Sequence, residues 1–204
     1  MGIGRRDAVS LPWPIHTIDF EASSLDDGTY PIEVGIARWV APTIDIETWS
    51  TLIRPIANWE RYGSWSPKAE MVHGVPREQL VQGLGPNEAM ARLNAIVGSN
   101  VAYCDGGDFD RHWFGMLQHA AGQSASFHLA SFDDLKLRLD NAGLFRLQTW
   151  LDDTPPPHRA GPDAQRLLMS LARGLGITSC DVTGIAPQAR SGKESDGPAN
   201  GSPT

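Results

Sequence analysis

The sequence predicts an α/β fold in which a mixed β-sheet carries helices packed against it. Three strand-like runs, separated by short turns, occupy roughly residues 15–55. Beyond them, short apolar runs alternate with stretches whose apolar residues recur at helical spacing. Strands first, followed by alternating strands and helices, are typical of a mixed sheet flanked by helices.

The three early strands are expected where β-branched and aromatic residues are frequent. Segments rich in Gly, Pro and Asp separate them, and these residues favour turns. Because the connections are short, we expect an antiparallel meander. The strand runs are "IHTIDFEA", "PIEVGIARWV" and "IETWSTLIRP", and the turns are "LDDGTYP" and "APTID".

The remainder of the chain predicts helices and two further strands. The helices have apolar residues at helical spacing and Gly or Pro near their ends. Pro162 opens the last helix, and proline is favoured at a first helical position. In order, the elements are helices in "PREQLVQGL" and "GPNEAMARLNAIVGSN", a buried strand "VAYC", a helix "DFDRHWFGMLQHAAG" capped by Asp108, a strand "FHLA", and helices in "SFDDLKLRLDNAG" and "GPDAQRLLMSLARGLG".

The chain is organised as one domain with short flanking segments. Residues 1–14 form a lead-in, residues 15–183 form the domain, and residues 184–204 are expected to be disordered because they are rich in Gly, Pro, Ser and Ala. No apolar run is long enough for a membrane span. The absence of a hydrophobic region after Arg5-Arg6 argues against a secretion signal.

Composition favours an ordinary soluble protein of the cytoplasm. Apolar residues make up 41% and charged residues 20% of the 204 positions. Two cysteines, Cys104 and Cys180, are too few for a disulfide framework, so reduced thiols are expected. The net charge of −7 argues against a broad basic surface that coats duplex DNA. The negative net charge does not exclude binding of short nucleic acids, because acids gathered around bound cations present an electrostatic field that differs from that of the whole protein.

Two acids, Asp19 and Glu21, lie one residue apart in the first strand. Residues two apart on a strand point to the same face, so their charges would repel each other. Two surface acids on an exposed edge strand are the simpler explanation of such a pair. The alternative is a divalent cation such as Mg²⁺ or Mn²⁺, which binds carboxylate oxygens and stabilises the pair.

A second group of acids follows the strand "VAYC" at the carboxyl edge of the sheet, where sites are usually built. Asp105 is suited to shaping the turn and Asp108 to capping the helix. Asp110 lies on the helix face that also carries Trp113 and Phe114, at +3 and +4. Since an acid on the buried face needs a partner, Asp110 is the candidate ligand.

A third group lies in "PPPHRAGPDAQRLL". Three prolines keep the backbone before His158 out of a helix, and Asp163 falls in the first turn of the helix that follows. A loop histidine is most often a surface residue, but here a carboxylate site is its expected neighbour. Histidine accepts a proton from water near neutral pH. Two cations held by Asp19, Glu21, Asp110 and Asp163 would clamp a phosphodiester, with His158 as general base.

Three stretches resemble the three motifs of the DEDDh group, the ribonuclease H-like 3′→5′ exonucleases. "IDFEASS" resembles the first motif, "VAYCDGGDFDRHWF" the second, and "HRAGPDA" matches the H-x-A-x-x-D-A pattern of the third. "VHGV" at 72–75 resembles the short His-Gly segment between the first two motifs. Arg159 stands where the tyrosine subgroup has its tyrosine, which favours the histidine type.

The resemblance implies a ribonuclease H-like, five-stranded mixed sheet flanked by helices. It implies two Mg²⁺ or Mn²⁺ ions, and release of 5′-mononucleotides from the 3′ ends of single-stranded DNA or RNA or of oligonucleotides. It also makes Phe20, Ala22, Ser23 and His73 candidate substrate contacts, although strand alternation favours a core position for Phe20. Two stretches depart from the residues usual in these motifs, namely Ala22-Ser23 after the first pair of acids and Tyr103-Cys104-Asp105 in the second motif. These departures affect the expected substrate preference more than the expected catalysis.

Other functions fit the same residues. A catalytically silent binding module on this fold would be expected to lack one of the five site residues, and none is missing. A metal-dependent phosphatase would use the same acids on a small phosphate ester. The choice between RNA and DNA depends on pocket details that no motif reveals. Several members of the family form homodimers, so a homodimer is a further expectation by analogy.

Overall fold

The computed structural model describes residues 10–40, 45–178 and the backbone of 181–184. Its centre is a six-stranded sheet in the order β5-β4-β1-β2-β3-β6. The first three strands pair antiparallel, and the β1–β4, β4–β5 and β3–β6 pairs are parallel. The strands are β1 Ile15–Ala22, β2 Pro31–Trp39, β3 Asp45–Leu52, β4 Val101–Cys104, β5 His128–Ser131 and β6 Asp181–Gly184.

Helices cover both faces of this mixed sheet, as the sequence predicts. They are α1 Ala57–Tyr62, α2 Pro67–His73, α3 Pro86–Val97, α4 Asp108–Ala121, α5 Asp133–Lys136, α6 Asn141–Asp153 and α7 Ala160–Gly174, with a short 3-10 helix at Arg77–Gln82. The predicted α/β class and the antiparallel meander are both confirmed. The short strand β6 extends the five strands that the family resemblance implies.

Alternation along β1 divides its side chains between two hydrophobic layers. Ile18 and Phe20 belong to the layer that contains α3 and α4, whereas Ile15 belongs to the layer that contains α6 and α7. On the second face, the Thr17 hydroxyl donates to the carbonyl oxygen of Ala164 at 2.6 Å and ties β1 to α7. The two layers bring the first turns of α4 and α7 to the same end of β1.

Local details of three helices differ from the prediction. Gly107, with φ +60°, caps α4, and Asp108 is the first helical residue rather than the cap. Helix α7 begins at Ala160, two residues before Pro162. The segment predicted as one helix in "SFDDLKLRLDNAG" is divided, because the Asp140 carboxylate accepts a hydrogen bond from the Gly143 amide at 2.8 Å and starts α6 there.

The flanking segments lie only partly within the described residues. Leu11 is buried, and the ring of Trp13 packs edge-on against that of Trp39 at 4.9 Å, so residues 10–14 contact the core. Gly184 is the last residue of β6, while residues 1–9 and 185–204 lie outside the described part. Among the described helices, none combines the length and apolarity that a membrane crossing requires.

Candidate active site

Four predicted acids meet at the carboxyl edge of the sheet. Asp19 and Glu21 lie on one face of the last half of β1, Asp110 lies in the first turn of α4, and Asp163 lies in the first turn of α7. Because β1 and β4 run parallel, the turn after β4 lies beside the end of β1. Residues more than 140 positions apart in the sequence thereby come together.

The carboxylates form two groups that share Asp19. Oxygen atoms of Asp19, Glu21 and Asp163 lie within 4.8 Å of one another, and so do oxygen atoms of Asp19, Asp105 and Asp110. Asp105 joins the second group although the sequence assigned it only to the turn. The chain therefore gathers five carboxylates into two adjacent sets of three, and each set could hold a metal ion.

Burial and mutual repulsion make ionisation of these acids unfavourable. The pKa of Asp19 is raised well above its usual range, first by burial and then by the charges of Asp110 and Glu21. Burial and the Asp163 charge raise the pKa of Glu21 to about 8. Burial raises the pKa of Asp110 to about 6 and also raises that of Asp163. Perturbed pKa values of this kind cluster at functional sites.

Backbone amides orient two of the carboxylates. The Gly106 amide donates to Oδ2 of Asp110 at 2.9 Å, and the Arg159 amide donates to Oδ2 of Asp163 at 2.9 Å. A Cβ atom at position 106 would lie 2.7 Å from the Asp110 carboxylate. A side chain at position 106 would therefore displace the Asp110 carboxylate, and glycine leaves room for the turn to wrap closely around it.

His158 lies on the loop before α7 and is exposed to solvent. Its backbone is in the left-handed region, with φ +55°, and it is the single non-glycine residue with positive φ in the described part of the chain. Such a conformation costs about 1 kcal/mol or more in an ordinary residue and is found preferentially at functional sites.

Two adjoining cavities open at this edge. The first, of about 250 Å³, is called the acidic pocket and is lined by Asp19, Glu21, Asp105, Asp163, His158 and Arg166, among others. The second, of about 490 Å³, is called the side cleft and is lined mainly by apolar groups, including Ala22, Leu25, Val72 and Trp113. Phe20, Glu21 and His158 border both cavities.

The residues predicted to contact substrate differ in whether they line a cavity. Phe20 is buried in the core, as strand alternation indicated, yet it borders both cavities, and Ala22 borders the side cleft. Ser23 is fully buried and lines neither cavity. Its hydroxyl accepts a hydrogen bond from the Tyr30 amide at 3.0 Å, so its observed contacts are structural.

His73 lines the side cleft and is only 4% exposed. Its Nδ1 atom accepts a hydrogen bond from the Val75 amide at 3.0 Å. In the neutral ring Nε2 then carries the proton. Within the described part of the chain, Nε2 is buried and has no hydrogen-bond partner. A buried donor without a protein partner is uncommon, and this one belongs to a residue that lines the side cleft.

One contact near the site was not predicted from the sequence. Glu33, on β2 directly opposite Glu21, is 2% exposed and forms an ion pair with Arg159. The pattern "PIEVG" offered a weak signal, because an acid in an otherwise apolar strand needs a partner. The partner lies 126 positions away and could not be identified from spacing.

Comparisons with known proteins support the fold. No family model matches the chain, and no curated protein matches its sequence. A solved structure described as "3′-end specific recognition of histone mRNA stem-loop by 3′-exonuclease" is similar with a TM-score of 0.62 and 13% identity, over 82% of this chain and 84% of that chain. The ribonuclease H-like fold expected from the motifs is therefore confirmed, whereas membership of the DEDDh group stays a prediction.

Proposed function

We propose that this protein is a metal-dependent 3′→5′ exonuclease of the DEDDh type, which releases 5′-mononucleotides from single-stranded or short nucleic acids. The observation that carries the proposal is the pair of three-carboxylate groups sharing Asp19, with His158 bordering the same pocket. The structural neighbour, which is described as a 3′-exonuclease, supports the same class. In this proposal Asp19, Glu21, Asp110 and Asp163 bind the metal ions and His158 is the general base.

The donor set fits hard divalent cations. It consists of carboxylate oxygens, which Mg²⁺ and Mn²⁺ prefer. Burial and the neighbouring acids raise the pKa values of Asp19 and Glu21, and a bound cation would offset this cost of ionisation. Asp19, Glu21 and Asp163 would hold one ion, while Asp19 and Asp110, with Asp105 beside them, would hold the other. Bound ions of this kind lower the pKa of water and stabilise negative charge on phosphate oxygens.

The protein's own part in hydrolysis is to position a water molecule and accept its proton. His158 borders the acidic pocket from the solvent side, so its ring can take a proton and return it to bulk water. A positioned general base contributes about 10²- to 10⁴-fold to the rate. The water oxygen attacks the phosphorus atom of the last phosphodiester and the P–O3′ bond breaks. The 3′ oxygen takes up a proton from solvent and stays on the shortened strand, while the 5′-mononucleotide is released.

The side cleft is suited to the 3′-terminal nucleoside. Its volume of about 490 Å³ and its apolar walls match a base and sugar, and it adjoins the acidic pocket through Glu21 and His158. Phe20 and Ala22 would contact the nucleoside, and the free Nε2–H of His73 would donate to one of its oxygens. A phosphatase needs only the acidic pocket, so the side cleft favours the exonuclease.

A 3′-end degradation assay tests the proposal. RNA and DNA oligonucleotides labelled at the 5′ end are incubated with Mg²⁺, Mn²⁺ or chelator, using wild-type protein, Asp19→Asn and, as a matched control, Asp153→Asn at the exposed end of α6. We expect metal-dependent ladders for the wild type and the control, and none for Asp19→Asn. Degradation of neither polymer by folded wild type, together with hydrolysis of a small phosphate ester, would establish the phosphatase instead.

A further inference from the structure

The buried carboxylate of Glu33 has three donors, all from the start of α7. Arg159 Nε donates to Oε2 and Arg159 Nη2 donates to Oε1, both at 2.9 Å, which is the bidentate arrangement. The Ala160 amide donates to Oε2 at 3.2 Å. Glu33 therefore binds both the side chain and the backbone of the residues that directly follow His158.

The same point of contact is reinforced by close backbone packing. Gly35 follows Glu33 on the same face of β2, and a Cβ atom there would lie 2.1 Å from the carbonyl carbon of Ala160. A Cβ atom at Gly161 would lie 2.8 Å from the Ser50 hydroxyl on β3. The first turn of α7 thus rests directly on the sheet backbone, where a small displacement is resisted by hard contacts.

The loop that carries His158 is also held at its other end. Arg166, on α7, donates from Nε to the carbonyl oxygen of Thr154 at 2.6 Å and from Nη2 to that of Leu151 at 2.8 Å. Between Thr154 and Arg159 lie three prolines and His158 itself. Fixed ends and stiff prolines leave the backbone few conformations, and His158 is held with positive φ.

We propose that the Glu33–Arg159 pair is a positioning device for His158, one that acts through the loop and does not touch the substrate. This inference rests on the proposed function, because it assigns the pair to the general base of that reaction. An ion pair that buries a carboxylate is weak evidence for stabilisation of the fold, since desolvation offsets the attraction. A role in orienting His158 accounts for the bidentate geometry of the Glu33–Arg159 pair. It also accounts for the position of Arg159 directly after His158 in the sequence.

Substitution of Arg159 by Lys tests this role while the positive charge stays beside Glu33. Lysine cannot reproduce the planar bidentate contact. We expect Arg159→Lys to lower kcat by about 10- to 100-fold, as small displacements of reacting groups do, with KM and Mn²⁺ affinity changed by less than about threefold. Arg38→Lys is the matched control, because Arg38 also binds a glutamate, Glu47, with two nitrogens on the same sheet.

A double-mutant cycle separates positioning from general stabilisation. If Arg159 acts through His158, then Arg159→Lys has almost no further effect on kcat in a His158→Ala background, because the group that it positions is gone. An equal loss of kcat in both backgrounds, or wild-type kcat for Arg159→Lys alone, would overturn the proposal. Loss of Mn²⁺ binding in Arg159→Lys would overturn it too, since the pair would then act on the metal-binding acids.

A spectroscopic readout keeps this test independent of nuclease activity. The motion of the His158 backbone amide is measured by NMR relaxation on the full chain labelled with ¹⁵N-histidine, with the signal assigned by its absence in His158→Ala. We expect a mobile amide in Arg159→Lys and an ordered amide in wild type and Arg38→Lys. If the wild type degrades no substrate but this difference is found, the proposed function fails and the positioning role stands. Equal mobility in all three proteins would refute positioning.

Discussion

Removal of one charge from the acidic cluster is expected to stabilise the metal-free protein. Glu21→Gln keeps the shape of the side chain, but it cannot ionise. The pKa of Glu21 is raised from 4.5 to about 8, chiefly by burial and then by the Asp163 charge. Each pH unit between these values corresponds to about 1.4 kcal/mol. Ionisation of Glu21 in the folded protein therefore costs at most about 5 kcal/mol.

The sign of the effect depends on pH. A carboxyl group whose pKa is raised by folding contributes stability below pH 4.5, and this contribution is lost as the pH rises to about 8. The neighbouring acids titrate over the same range and share the repulsion. We therefore expect Glu21→Gln to raise the free energy of unfolding by about 2–3 kcal/mol at pH 8.5, by much less at pH 5, and in each case without metal.

Urea unfolding in chelator at the two pH values measures this difference directly. Glu78→Gln, at an exposed position of the 3-10 helix, serves as the control and should change little at either pH. Saturating Mn²⁺ should remove or reverse the greater stability of Glu21→Gln. The wild type binds Mn²⁺ with the Glu21 carboxylate, which the variant lacks, so bound metal stabilises the wild type more. A destabilised Glu21→Gln at pH 8.5 in chelator, or a pH-independent change, would show that repulsion in the cluster is not what the structure indicates.

Three further predictions address acid stability, packing and metal binding. Burial lowers the pKa of His16 to about 4, so protonation of His16 should cost the fold up to about 3 kcal/mol as the pH falls from 6.5 to 4. The raised pKa values of the site acids act in the opposite direction in both proteins. The free energy of unfolding of His16→Leu, measured in urea, should therefore increase relative to that of wild type over this range, and a difference that is independent of pH would contradict it. Gly35→Ala should lower the free energy of unfolding by about 1–3 kcal/mol, because its Cβ would meet the backbone of Ala160. Gly115→Ala has open space at its Cβ and should not lower it; an equal change in Tm for the two variants would refute this. Mn²⁺ should raise the Tm more at pH 8 than at pH 6, because the pKa of Asp110 is raised to about 6, and Asp110→Asn should lose most of this gain; a shift independent of pH would disprove the link.

Local sequence patterns predicted much of the fold and part of the candidate site. Alternation in β1 placed Asp19 and Glu21 on one face, and helical periodicity placed Asp110 on the buried side of α4. These predictions depend on residues a few positions apart, where strand and helix geometry is fixed. The convergence of the two segments with Asp163 depends on the order of strands in the sheet. It was proposed from the three groups of acids as a shared cation site, and the family resemblance supported it.

Features that depend on tertiary contact were not predictable from the sequence. Asp105 was assigned to its turn because nothing local shows that its carboxylate approaches Asp19. Glu33 and Arg159 meet only because β2 and the start of α7 pack together at Gly35. The cap of α4 falls on Gly107 because the turn needs positive φ, which glycine adopts more readily than Asp108.

In the proposed reaction the carboxylate cluster holds two divalent cations around Asp19. The most direct measurement is anomalous diffraction from crystals soaked in Mn²⁺, with wild-type protein and Asp19→Asn compared. We expect two Mn²⁺ ions about 3.5–4 Å apart, both bound by Asp19, one completed by Glu21 and Asp163 and the other by Asp110. Ions that lie elsewhere, or a cluster that binds none at millimolar Mn²⁺, would contradict a two-cation site at Asp19.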